Sequence, residues 1–66
     1  MEITLDQRYL IVLPGFFTVT EAIVKEISSS KQYVLLQYID KDNKHKRWFK
    51  YEELKFVEML QNIADD

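Results

Sequence analysis

QYVLLQYIDKDNKHKRWFKY, residues 32–51, reads as a β-hairpin, and the rest of the chain is interpreted around it. In QYVLLQYI, 32–39, the side chains alternate. Val34, Leu36 and Tyr38 fall on one face; Tyr33, Leu35, Gln37 and Ile39 fall on the other. The mix of β-branched and aromatic residues suits a pleated, half-buried surface. DKDNK, 40–44, carries turn chemistry, with Asp42-Asn43 tolerant of left-handed backbone. KHKRWFK then reads as the return strand. Arg47 and Phe49 share one of its faces; Lys46, Trp48 and Lys50 share the other.

Upstream, Leu13-Pro14-Gly15-Phe16 has Pro and Gly at the two central places of a type II turn. RYLIVL before it is an apolar strand candidate. TVTEAIVKEI after it fits two patterns. As a strand, Ala22 and Val24 face one way and Ile23 the other. As a helix, Thr20 is an N-cap and Val19 with Val24 a hydrophobic staple. YEELKFVEMLQNIADD is similarly divided. Tyr51, Leu54, Val57 and Leu60 recur at helical spacing, with Ala64 extending the row. The other reading is a short turn at Tyr51 to Glu53 and a final strand from Leu54 to Leu60.

Sixty-six residues make one domain, and a chain this short buries only about 60% of its unfolded surface. A core of this size rarely supplies more than roughly 3–5 kcal/mol. There is no Cys and a single His, so neither a disulfide nor a metal held by the usual ligands is expected to staple it. At 47% hydrophobic residues, with four Phe, four Tyr and one Trp, the composition is that of a folded chain. YLIVLPGFF, 9–17, is too short for the ~20 residues that span a bilayer, and Pro14-Gly15 breaks it. Glu2 and Asp6 before it, and no small-residue cleavage site after it, argue against a signal peptide. A soluble, cytoplasmic protein is expected.

The run Val24-Lys25-Glu26-Ile27-Ser28, Ser30, Tyr33-Val34, Leu36 and Tyr38, followed by a loop, Trp48 and then Glu53-Leu54, resembles small SH3-like β-barrel proteins of bacteria, archaea and their viruses. The resemblance covers roughly residues 20–60. It implies an all-β, five-stranded SH3-like barrel with a short helical turn near residues 51–53. It also implies a binding role, such as that of an accessory protein of a virus or mobile element, and it carries no catalytic residues. The sequence departs from the pattern at the turn, where Ser29 stands in place of Pro and Lys31 in place of Gly. On this basis Val24–Ile27 and Leu54–Leu60 are expected to be strands. The domain then spans 1–60, with a C-terminal tail at 61–66. The expected core is Val24, Ile27, Val34, Leu36, Tyr38, Phe49, Leu54 and Val57. Small barrels fill their interior with side chains, so such a protein binds on its outside.

Catalysis finds no support. Asp40-x-Asp42 opens like a calcium loop, but Lys44, His45 and Tyr51 occupy the next essential places. His45 has lysine neighbours and no partner that would make it a general base. Ser28-Ser29-Ser30 has no nucleophile-elbow context, and Glu52 and Glu53 are adjacent, so they point apart in a helical turn. A single Gly rules out a glycine-rich phosphate loop. The expectation is therefore no enzyme, no cofactor, no metal and no small-molecule substrate.

Charge is unevenly spread. Lys41, Lys44, Lys46, Arg47 and Lys50 against Asp42 give residues 41–50 a local +4, so the remainder carries −6 of a net −2. Two surfaces follow. Tyr33, Leu35, Ile39 and Trp48 form an outward apolar set suited to a protein partner or a homodimer, with Lys46 and Lys50 at its rim. Alternatively, Lys44, Lys46, Arg47, Trp48 and Lys50 form a nucleic-acid stripe in which Trp48 stacks a base. The acidic net charge favours the first.

Overall fold

The strands form where the alternation is strongest. The computed structural model describes residues 3–60 and places β1 at Arg8–Val12, β2 at Thr20–Ile27, β3 at Tyr33–Asp40, β4 at Asn43–Lys50 and β5 at Lys55–Leu60, with a 3₁₀ turn at Tyr51–Glu53 before β5. All ladders are antiparallel and the order is β4-β3-β2-β1-β5. The all-β expectation therefore holds, and the divided segments form strands at Thr20–Ile27 and Lys55–Leu60. No ladder joins β4 to β5 among the described residues, so strand pairing leaves the sheet open at these two edges. The expected tail, 61–66, and its Ala64 lie outside the described residues.

Three connections show how the local sequence sets the geometry. At Leu13-Pro14-Gly15-Phe16 the Phe16 N–H donates to the Leu13 carbonyl at 3.0 Å, and Gly15 has φ of 85°, which suits the type II turn. Between β2 and β3, Lys31 donates its N–H to Ser28 O at 2.9 Å, and the Ser28 hydroxyl accepts from Tyr33 N–H at 3.1 Å. Lys31 sits at φ of 63°, a conformation in which glycine is unstrained. The hairpin turn is tighter than expected. Asp40 pairs with Asn43, and the two loop residues are Lys41 and Asp42, both at positive φ (54° and 66°). Two such residues make a type I′ connection, whose twist matches the flanking strands. Asn43 and Lys44 thus belong to β4 rather than to the turn.

The core lies on one face of the curled sheet. Tyr9, Ile11, Leu13, Ala22, Val24, Val34, Leu36 and Tyr38 are buried, and Ile3, Phe16, Ile27, Phe49, Tyr51, Leu54 and Phe56 pack against them. Edge-to-face contacts join Tyr9 to Phe56 (5.3 Å between centroids) and Phe16 to Tyr38 (6.0 Å); such pairs add about 0.5–1.5 kcal/mol beyond burial. The Tyr9 hydroxyl accepts the Thr4 N–H at 3.0 Å, so its polar end is satisfied.

Two bulges bend the sheet. Val24 pairs with Leu36 and Glu26 with Leu35, which makes Lys25 the extra residue of β2. The bulge lets Val24 and Ile27, three apart, both face the core. In β5, Ile11 pairs with Phe56 and Leu10 with Glu58, so the extra residue is Val57. This corrects one core assignment. Val57 is 52% exposed, and Phe56 takes the inward place.

A mixed apolar and basic surface on the β3–β4 hairpin

The β3–β4 register builds the surface. Tyr33 faces Lys50, Leu35 faces Trp48, Gln37 faces Lys46 and Ile39 faces Lys44. Directly opposed residues project to the same side of the sheet, and this is the side away from Val34, Leu36 and Tyr38. The apolar set and the basic stripe are thus largely a single surface, with its apolar row on β3 and its basic row on β4. Ile39 is 63% exposed, Trp48 50% and Tyr33 41%, while Leu35 is half-buried.

Arg47 does not join them. It pairs with Leu36 on the inner side, and its guanidinium lies 5.8 Å from the centre of the Phe49 ring. The nucleic-acid set is therefore divided, with Lys44, Lys46, Trp48 and Lys50 on one face and Arg47 on the other. His45 is also on the inner side. Its ring stacks on Tyr38 at 5.4 Å with an interplanar angle of 26°, so it extends the core at an edge strand. Among the described residues no group of three His, Cys, Asp or Glu could hold a metal ion.

The surface continues onto β2. Ile23 pairs with Gln37, and a shallow depression is lined by Glu21, Ile23, Gln37, Tyr38, Ile39 and Lys44. Ile23 was not among the expected contacts. The alternation of Ala22, Ile23 and Val24 already assigned it to the outer face, but only the sheet order places it beside Gln37. Phe17, on the loop after Gly15, is fully exposed and lay in no expected set.

Among the described residues the ion pairs involve β1, β2 and the segment before β1. Arg8 meets Glu21 at 2.6 Å and Lys25 meets Asp6 at 3.0 Å. Exposed pairs of this kind contribute about 0–1 kcal/mol. Among the described residues Lys44, Lys46 and Lys50 engage no carboxylate. The eight outward residues of the hairpin include no acid; on the same surface Glu21 of β2 lines the depression with Lys44 and pairs with Arg8. No described helix is long and apolar enough to cross a membrane.

Comparison of the chain with protein-family models, curated proteins and solved structures finds no match in any of the three.

Proposed function

We propose that this chain is a small, non-enzymatic binding module of the cytoplasm that docks a protein partner through the outer face of its β3–β4 hairpin. Tyr33, Leu35, Ile39 and Trp48 make the apolar contact, and Lys44, Lys46 and Lys50 form its rim. The observation that carries this reading is the gathering of the four apolar side chains on one exposed face, with no element of the described chain over them. Large apolar groups left uncovered in this way mark interaction surfaces, and Trp and Tyr are favoured anchors there. We further propose that the open sheet is an SH3-like barrel. The single 3₁₀ turn between the Trp-bearing strand and the closing strand supports this.

Replacing Leu35 and Trp48 together, Leu35→Ala with Trp48→Ala, tests the function. Association with the partner, or self-association, should weaken by about 2 kcal/mol or more, while circular dichroism stays that of the parent. Unchanged association would overturn the reading.

One observation favours a second reading, nucleic-acid binding. Trp48 is half-exposed between Lys46 and Lys50 on a hairpin whose own outward residues include no acid. That reading predicts oligonucleotide binding that quenches Trp48 emission, falls steeply with salt, and is lost in Lys46→Glu.

A further inference from the structure

Among the described residues the outer edge of β4 is a row of unpaired backbone groups, and the register identifies which they are. Tyr51 donates its N–H to the Gln32 carbonyl at 2.8 Å. Gln32 and Tyr51 continue the β3–β4 register one step beyond Tyr33 and Lys50. Opposed residues of an antiparallel pair alternate between hydrogen-bonded and non-hydrogen-bonded pairs. With Gln32/Tyr51 bonded, Val34/Phe49, Leu36/Arg47, Tyr38/His45 and Asp40/Asn43 are the bonded pairs of the ladder. Lys50, Trp48, Lys46 and Lys44 are then the β4 residues of the non-bonded pairs. Their N–H and C=O groups point away from β3, toward an edge on which no described strand lies. The four residues with free edge groups are the same four whose side chains occupy the outer face.

We infer that this edge takes up an extended acidic segment of a partner protein as an added strand. The inference rests on the protein-binding reading above and names the chemistry of the partner. Charge selects the occupant. An added strand sends alternate side chains to the outer face, where they lie beside Lys44, Lys46, Trp48 and Lys50. Carboxylates spaced two apart would meet the three lysines, and an apolar residue would meet Trp48. A second copy of β4 is disfavoured, because antiparallel self-pairing sets lysines and arginine against one another. Edge lysines commonly prevent pairing with other strands. Here they exclude strands of like charge, and an acidic one neutralises them.

The test is a titration of the full chain with a short, end-capped peptide in which valine alternates with Glu, Leu, Glu and Glu in turn, so that the leucine falls opposite Trp48, followed by amide hydrogen exchange. The amides of Lys44, Lys46, Trp48 and Lys50 should slow by about tenfold or more, and those of residues 55–60 should not. The same peptide, N-methylated on the residues that would bond to the edge, should give no slowing, and Lys44→Glu with Lys46→Glu should abolish binding. Binding without slowing, or equal binding of the N-methylated peptide, would overturn the added strand and leave a charge contact on the outer face. Absence of peptide binding would overturn it as well. Slowing that grows with protein concentration alone would identify a second copy as the occupant. A response only to a single-stranded oligonucleotide would overturn both the edge inference and the protein-binding reading.

Discussion

The two faces of the β3–β4 hairpin are built from similar residues and meet opposite fates. Val34, Leu36 and Tyr38 are buried under Phe49 and the aromatic groups of β1, β5 and the 14–19 loop. Tyr33 and Ile39 remain in solvent one residue away. Apolar content does not decide which face becomes core, since each face of β3 carries three large apolar residues. What packs over the face decides it. The bulges at Lys25 and Val57 rephase β2 and β5, and Ile3, Phe16, Tyr51 and Leu54 from outside the strands pack against the buried side. The other side keeps an apolar row that packing does not require.

The comparison can be broken most sharply with leucines. Leu36→Ala empties a fully buried site and should cost about 2–5 kcal/mol, comparable to all that a core of this size supplies. Urea denaturation should find it largely unfolded. Leu35→Ala, one residue away and facing out, should cost about 1 kcal/mol or less. Equal losses would remove the distinction between the faces. In β5 the same contrast falls on neighbours. Phe56→Ala should cost about 2–3 kcal/mol, and Val57→Ser should stay within about 0.5 kcal/mol. A reversed order would return Val57 to the core.

Smaller effects belong to the turns that hold the hairpin in place. Gly15→Ala should lose about 1 kcal/mol. An added Cβ meets nothing within 4 Å, so the cost is that of the backbone at φ of 85°. Lys31→Gly should move the other way, gaining up to about 1 kcal/mol by relieving a left-handed residue. Thermal denaturation of the two variants gives both signs.

Much of this was legible in the residues. The hairpin phase follows from strict alternation, and the Pro14-Gly15 turn follows from its two residue types. The outer apolar set was read together for the same reason. What was not legible has physical causes. RYLIVL is apolar on both faces, so alternation could not single out Tyr9, Ile11 and Leu13 as core. A bulge shifts the phase of a strand by one residue without changing its composition, so the spacing points to Val57 as inward while the register turns Phe56 inward instead. Asp40 to Lys44 offers several left-handed candidates, and only the pairing of Asp40 with Asn43 selects Lys41 and Asp42. Arg47 was grouped with the lysines by sequence nearness, although its parity in the strand already separated them.

The central claim is that the outer face of the hairpin is where this protein meets its partner. Site-specific photo-crosslinking tests it directly. p-Benzoylphenylalanine is placed at Trp48 in one variant and at the exposed Glu58 of β5 in another, and both are irradiated in the cells that make the protein. The account predicts a discrete, nuclease-resistant adduct from position 48 and none from position 58. An adduct from position 58 alone, or a position-48 adduct that nuclease removes, would contradict it.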